Sequence, residues 1–194
     1  MMVLGLTGGI ATGKSTVARQ LVALGAVHFD ADAVVHALMQ EPAVMAQIAK
    51  AFPEVVMQGE VDRKTLSAAV FADAAKLKTL EAIVHPLVRE QELDWLAKQK
   101  QAGAALVVLD IPLLFESGAD GLCDYVLVTD CPPDLQAERA LSRAGMTAEK
   151  LAQILARQMP RHDRLARADA VIETGMGLAH SSAQLQAFLK EIGA

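Results

Sequence analysis

Five short runs of aliphatic and β-branched residues recur along the chain, each bounded by turn-forming or polar residues. They cover residues 3–7, 27–30, 106–110, 125–129 and 170–172. Their apolar residues are nearly continuous and do not alternate with polar ones, which is typical of strands buried on both faces of a parallel sheet. The pattern therefore predicts five parallel strands.

Helical spacing fills the intervals between these runs. Residues 14–24 carry apolar side chains on one face, and Gly25 is placed to stop that helix. Residues 133–167 are predicted to form helical segments separated by Gly145 and Pro160. The spacing of apolar residues after the last strand predicts a C-terminal helix. Strands that alternate with helices indicate a three-layer α/β fold around a five-stranded parallel sheet.

The long interval between the second and third runs, residues 31–104, has helical spacing and no convincing strand. It predicts a helical insertion within a single domain, since 194 residues suit one domain. Pro86 falls inside this spacing. Because proline removes a helical hydrogen bond, the helix is expected to kink or break near His85.

Composition narrows the class of protein. A hydrophobic content of 53% with 21% charged residues is that of an ordinary globular chain. No apolar run approaches the roughly 18 residues that a membrane span needs, and no basic residue precedes the first apolar stretch. We expect a cytoplasmic protein without a membrane partner, in which Cys123 and Cys131 are core or loop residues. The sequence says nothing about oligomeric state.

Charge is spread unevenly. The net charge of −5 argues against a general nucleic-acid partner. Residues 139–167 nevertheless hold seven basic and two acidic residues, a local charge of +5 that leaves −10 elsewhere. Composition alone allows two interpretations of residues 133–167, a solvated helical face or an arginine-bearing lid.

The stretch GGIATGKS, residues 8–15, fits the pattern G-x-x-x-x-G-K-[ST] through Gly8, Gly13, Lys14 and Ser15. It follows a predicted strand and opens a predicted helix, which is the setting that a phosphate-binding loop requires. Its backbone N–H groups would bind phosphate at a helix N-terminus. Lys14 would bridge the β- and γ-phosphates of ATP, and the Ser15 hydroxyl would bind Mg²⁺.

Several classes of nucleotide-binding protein fit that loop. A GTP-dependent switch is disfavoured, because no Asp is followed three residues later by Gly and the chain contains no Asn. An ATPase motor is disfavoured because no second carboxylate follows the strand at residues 106–110. A small kinase fits best. A kinase for another nucleoside or nucleotide and a binding module without phosphoryl transfer remain alternatives.

A kinase needs a carboxylate near its acceptor and cations near the moving charge. Asp30 and Asp32 stand at the carboxyl end of the second strand, although their spacing aims only one of them at a site and one or both could instead cap the next helix. Arg139 and Arg143, four residues apart on a predicted helix, would share one face of the lid.

Six motifs in order carry a family resemblance: LTGGIATGKST (6–16), FDAD (29–32), IVHPLVR (83–89), DIPLLFE (110–116), QAERALSR (136–143), and RQMP (157–160) followed by ADAVIETG (168–175). In these motifs the sequence resembles the dephospho-CoA kinase family over essentially its whole length. The resemblance implies transfer of the γ-phosphoryl group of ATP to the ribose 3′-hydroxyl of dephospho-CoA, giving CoA and ADP.

The resemblance also implies roles for individual residues. Asp32 is the expected catalytic carboxylate, Thr7 lies close to the reacting phosphates, and Lys14 and Arg139, the lid arginine, complete the catalytic set. The implied nucleotide-binding residues are Gly8, Gly9, Ala11, Thr12, Gly13, Lys14, Ser15, Thr16 and Arg143. The implied acceptor-binding residues are Asp32, His85, Arg89, Pro112, Leu113, Leu114 and Glu116.

Two stretches depart from the family pattern. The usual loop reads GGIGSGKS, so Ala11 and Thr12 replace Gly and Ser. If residue 11 needs a positive φ, the loop is strained there. The family usually carries Asn or Asp near Glu173 and Thr174, where adenine is held largely by backbone, so this change concerns the contacts to the base and not the reaction.

Overall fold

Strands and helices alternate along the chain as the pattern predicts. The computed structural model describes residues 1–57 and 60–194. The strands are β1 (Met2–Gly8), β2 (Val27–Asp30), β3 (Val56–Met57), β4 (Glu60–Val61), β5 (Leu106–Asp110), β6 (Tyr125–Asp130) and β7 (Ala170–Glu173). The helices are α1 (Lys14–Ala23), α2 (Ala31–Leu38), α3 (Pro42–Ala51), α4 (Arg63–Ala72), α5 (Ala74–Gln101), α6 (Pro133–Leu141), α7 (Ala148–Arg157), α8 (Arg161–Ala166) and α9 (Leu178–Glu191).

The chain divides into two compact units. The core unit comprises Met1–Asp30 and Gln99–Ala194, and the inserted unit comprises Ala31–Lys98. In the described part of the chain, residues 1–57 and 60–194, none of the helices combines the length and apolar character needed to cross a bilayer.

The core unit is built on a five-stranded sheet in the order β2-β5-β1-β6-β7, and every neighbouring pair is parallel. All five strands predicted from the apolar runs are confirmed. Register places Asp30 opposite Asp110 and Gly8 opposite Thr129, at the carboxyl ends of their strands. The strand order reverses at central β1, and open α/β sheets bind ligands beside such a reversal.

Helices α1 and α9 cover one face of this sheet. Their buried side chains meet those of β1 and β6 in one cluster, in which Leu4, Leu6, Leu21, Leu127 and Leu185 have no exposed surface. Each fully buried leucine contributes roughly 1.5–3 kcal/mol relative to exposure. The cluster therefore fixes α1, and with it the loop that precedes α1.

The inserted unit contains α2, α3, α4, the β3–β4 hairpin and most of α5. Its core includes Val44, Ile48, Phe52 and Leu66. The expectation that residues 31–104 hold no strand is wrong, because Val56 pairs with Val61 and Met57 with Glu60 in an antiparallel hairpin. Strands of two residues are too short to show an alternating pattern.

Of the kink or break predicted near His85, the break is wrong. A single helix, α5, runs through Pro86 from Ala74 to Gln101. Apolar side chains on both sides of the proline, including Leu80 and Leu87, pack against the buried clusters of the inserted unit. Burial on both sides of Pro86 stabilises the helix against the loss of one hydrogen bond.

Candidate functional site

The loop between β1 and α1 presents backbone donors to a ligand. Gly13, with φ 92°, lies at the N-terminus of α1. In the described chain the N–H groups of Gly13, Lys14 and Ser15 make no hydrogen bond. Unpaired N–H groups at a helix N-terminus, together with the helix dipole, bind an anion such as phosphate.

Ala11 takes a backbone conformation that favours glycine. Its φ is 61°, and no other non-glycine residue in the described part of the chain has a positive φ. The left-handed conformation costs a residue with a Cβ about 1–2 kcal/mol. The Ala11 methyl group is buried against Ala140 and Leu151, from α6 and α7. Position 11 thus does require a positive φ, and packing offsets part of the strain.

Threonine hydroxyls fasten the middle of the loop. The Thr12 hydroxyl donates to the Gly9 carbonyl at 2.7 Å and lies 2.8 Å from the Thr129 hydroxyl. The Thr174 hydroxyl donates to the Thr12 carbonyl at 2.7 Å. The loop is therefore tied both to the end of β6 and to the residue that follows β7.

Residues from the predicted lid hold the first half of the loop. The Gln136 amide donates to the Ile10 carbonyl at 2.9 Å, and the Gln158 side-chain oxygen accepts from the Ile10 N–H at 3.1 Å. Neither glutamine was expected at the site, although both lie in motifs that carry the family resemblance. Residues 133–167 are thus in contact with the phosphate loop.

Arg164 is a buried cation beside the loop. Only 6% of the residue is exposed, and Nη1 donates to the Met159 carbonyl at 2.9 Å. Its Nε atom is buried with no partner in the described chain. Burial lowers the pKa of the guanidinium, and the charges of Asp130 and Glu116 oppose that shift. Since arginine stays protonated in proteins, a fixed positive charge lies next to the loop.

Lys14 is paired within the protein. Its ammonium group contacts Oδ1 of Asp110, the last residue of β5, and Oδ2 of Asp110 lies 3.2 Å from Nε2 of His28 on β2. Asp110 is 5% exposed. Sequence reasoning placed Lys14 in the site but missed Asp110 and His28 as its neighbours.

The two arginines predicted for the lid have different surroundings. Arg139 donates from Nη1 to the Thr174 hydroxyl at 3.2 Å and from Nη2 to the Thr174 carbonyl at 3.0 Å. Arg143 is exposed and lies beyond α6, which ends at Leu141. The prediction that both share a helical face is wrong, because the chain leaves the helix and turns toward Gly145, whose φ is 75°.

Other predicted residues of the core unit are held by contacts within that unit. The Thr7 hydroxyl donates to the Pro112 carbonyl at 3.0 Å, and Glu116 accepts from the Met159 N–H at 2.6 Å. Leu113 is half-buried, whereas Leu114 is fully buried and closely approaches Gly5. The Thr16 hydroxyl accepts from Arg19 at 3.3 Å.

The predicted acceptor residues of the inserted unit lie on two helices. Asp32 is exposed in the first turn of α2. His85 and Arg89 lie on α5, where Arg89 contacts the carboxylate of Glu92 at 3.5 Å. Glu92 is 4% exposed, and its burial raises the pKa of its carboxyl, an effect that the charges of Arg89 and His85 oppose. Sequence reasoning missed Glu92, for which the three-residue spacing from Arg89 was the available signal.

Oxygen ligands for a divalent cation are present, although no group of three or more His, Cys, Asp or Glu residues forms a metal site within residues 1–57 and 60–194. Ser15 is exposed at the start of α1. The buried Asp110 carboxylate contacts Lys14, the residue that precedes Ser15. Mg²⁺ commonly binds to one or two protein oxygens together with substrate phosphates and water. These residues fit such a site.

Known proteins of one family match this chain over nearly its whole length. The model of the dephospho-CoA kinase family matches residues 2–180. A dephospho-CoA kinase of Mesorhizobium japonicum is 47% identical over 192 residues, which are 99% of this chain and 97% of the relative.

Solved structures show the same similarity. The crystal structure of TT1252 from Thermus thermophilus superimposes with a TM-score of 0.86 at 35% identity, covering 98% of this chain and 97% of that one. A dephospho-CoA kinase from Campylobacter jejuni gives a TM-score of 0.72 at 27% identity, covering 98% and 96%. Each match spans both the core unit and the inserted unit.

Proposed function

The chain belongs to the dephospho-CoA kinase family, and we propose that it transfers the γ-phosphoryl group of ATP to the ribose 3′-hydroxyl of dephospho-CoA. The products are CoA and ADP, and the reaction is the last step of coenzyme A synthesis. The observation that carries the proposal is the family match over residues 2–180, which includes a phosphate loop with unpaired N–H groups at the start of α1. We place the reaction in the cytoplasm on the sequence alone.

The nucleotide site is proposed to be the loop and the side chains around it. The N–H groups of Gly13, Lys14 and Ser15 bind phosphate oxygens, and Lys14 leaves Asp110 to bridge the β- and γ-phosphates. Arg139 adds a cation on the side of Thr174. The remaining proposed nucleotide contacts are Gly8, Gly9, Ala11, Thr12, Thr16 and Arg143.

Ser15 and Asp110 are proposed to hold Mg²⁺ together with the phosphates of ATP. When bound, Mg²⁺ neutralises charge on the phosphoryl group during transfer. Two protein oxygens suffice because phosphate oxygens and water complete the coordination.

On the acceptor side, Asp32 is proposed to be the catalytic carboxylate. It accepts the proton of the 3′-hydroxyl, the hydroxyl oxygen bonds to the γ-phosphorus, and the bond from that phosphorus to the bridging oxygen of ADP breaks. Thr7 lies at the end of β1 near the reacting phosphates. His85, Arg89 and the loop with Pro112, Leu113, Leu114 and Glu116 are the proposed acceptor contacts.

The purified protein, incubated with ATP, Mg²⁺ and dephospho-CoA, is expected to release ADP and form CoA in equal amounts, as followed by chromatography. Adenosine, AMP and shikimate serve as alternative acceptors. ADP release with one of these and none with dephospho-CoA would overturn the proposed acceptor.

Asp32→Asn tests the proposed catalytic carboxylate. We expect it to reduce kcat by more than about tenfold, because general base catalysis typically contributes a hundredfold or more. ATP affinity should be unchanged. Asp94→Asn, at an exposed position on α5, is the matched control and should retain full activity. Survival of Asp32→Asn activity within about tenfold of wild type would overturn the assignment.

A further inference from the structure

Asp110 divides its two carboxylate oxygens between two side chains. Lys14 takes Oδ1, and His28 lies 3.2 Å from Oδ2. A carboxylate can only accept hydrogen bonds, so His28 carries a proton on Nε2 and is the donor. The side chain of Asp110 is 6% exposed, whereas those of Lys14 and His28 are 18% and 28% exposed. Protein donors thus take the place of water around this carboxylate.

The pairing of Lys14 has a direct consequence for nucleotide binding. Asp110 and the phosphates of ATP compete for the N–H donors of one ammonium group, so a stronger hold by Asp110 leaves Lys14 less available to phosphate. An Asp110 carboxylate free to turn both oxygens toward Lys14 would hold it more strongly. The hydrogen bond from His28 opposes this, because it takes one acceptor site of Oδ2 and orients the carboxylate.

We propose that His28 is a positioning residue for Lys14 and acts through Asp110. By engaging Oδ2, it restricts Asp110 to a single contact with Lys14 and keeps the ammonium group available to phosphate. The inference rests on the proposed role of Lys14 in ATP binding. His28 belongs to none of the six motifs, since FDAD begins at the next residue. Its position follows from the pairing of β2 with β5, which sets His28 opposite Val108, two residues before Asp110 along the strand.

The test is ATP binding, measured by isothermal titration calorimetry in EDTA without acceptor. His28→Val is expected to weaken ATP binding about fivefold, the size of one ordinary hydrogen bond, because the effect reaches Lys14 only through Asp110. His28→Gln retains an N–H donor and should recover affinity to within about twofold of wild type. His162→Val replaces a histidine whose side chain is 93% exposed, and it should leave affinity unchanged.

A double-mutant cycle with Asp110→Asn separates a positioning role from a purely structural one. If His28 acts through Asp110, His28→Val should change ATP affinity by less than about 1.5-fold when Asn occupies position 110. An equal loss in both backgrounds would overturn the proposal, as would unchanged ATP affinity in His28→Val alone.

Thermal unfolding of each variant shows whether it remains folded. Because no acceptor is present, failure to phosphorylate dephospho-CoA would overturn the proposed function and leave this measurement intact. A wild-type protein that binds no ATP would overturn both.

Discussion

The guanidinium of Arg164 lies directly against Gly9, with Nη2 only 2.9 Å from the position that a Cβ atom on residue 9 would occupy. The Gln136 amide nitrogen is 2.7 Å from the same point. Real Cβ atoms essentially never approach other atoms so closely, so a side chain at position 9 would displace both groups. The absence of a Cβ at position 9 therefore allows the side chains from α6 and α8 to reach the loop in this arrangement.

Gly9→Ala should consequently separate Gln136 from the Ile10 carbonyl and move Arg164. Because the ends of both side chains can shift, we expect a loss of about 1 kcal/mol in the free energy of unfolding, at the low end for overpacking. ATP binding should also weaken. Urea denaturation and calorimetry measure the two effects. Gly121→Ala is the control, because a Cβ at that position meets nothing within 4 Å, and an equal effect there would contradict the prediction.

Ala11 is expected to tolerate a smaller residue better than a larger one. Ala11→Gly relieves about 1–2 kcal/mol of left-handed strain, but it loses a buried methyl group worth about 0.8 kcal/mol and gains chain entropy in the unfolded state. Its unfolding free energy should lie within about 1 kcal/mol of wild type. Ala11→Val adds volume beside Ala140 and places a β-branched residue at positive φ, and it should lose about 2 kcal/mol or more.

Urea denaturation distinguishes these outcomes. Ala69→Val, at a half-buried position on α4 with an ordinary backbone conformation, controls for the added volume. Equal stability of Ala11→Val and wild type would show that the strain at residue 11 is not limiting.

Thr174 connects Arg139 to the phosphate loop. Thr174→Val removes the hydroxyl that donates to the Thr12 carbonyl and accepts from Arg139. We expect ATP affinity to fall about fivefold, as measured by calorimetry, because one loop contact is lost and one arginine is loosened. Thr79→Val removes an exposed hydroxyl that donates to the Ala75 carbonyl of the same helix, α5, and this variant should bind ATP normally. Unchanged affinity in Thr174→Val would show that these contacts do not support the nucleotide site.

Glu92 makes stability depend on pH. Burial raises the pKa of its carboxyl in the folded protein. As pH rises from the ordinary glutamate pKa through the raised value, ionisation of Glu92 increasingly lowers the free energy of unfolding. Below that range the carboxyl is protonated in both the folded and the unfolded protein and has no such effect. Glu92→Gln should be more stable than wild type at pH 7, and the difference should shrink as pH falls through the range.

Urea midpoints measured from pH 4 to pH 8 follow this difference. Glu90→Gln, at an exposed position on the same helix, should track wild type at every pH. A Glu92→Gln curve parallel to wild type throughout would show that Glu92 is not held at a raised pKa.

The sequence predicted the parts of the fold that local patterns encode. Continuous aliphatic runs predicted the five strands of the sheet, and GGIATGKS predicted the loop between β1 and α1. The β3–β4 hairpin is too short for such a pattern, and the continuity of α5 through Pro86 depends on tertiary packing. The contact between Gln158 and Ile10 joins residues 148 positions apart, and no local spacing predicts a pair so distant.

The threonine and glutamine contacts around the phosphate loop have a thermodynamic consequence. They fix the Thr12 hydroxyl and both backbone polar groups of Ile10 by hydrogen bonds that need no ligand. Ordering a residue's backbone costs roughly 1–2 kcal/mol in conformational entropy. For these residues that cost is met when the chain folds, so the loop is preorganised for phosphate and less of the intrinsic binding energy is consumed in shaping it.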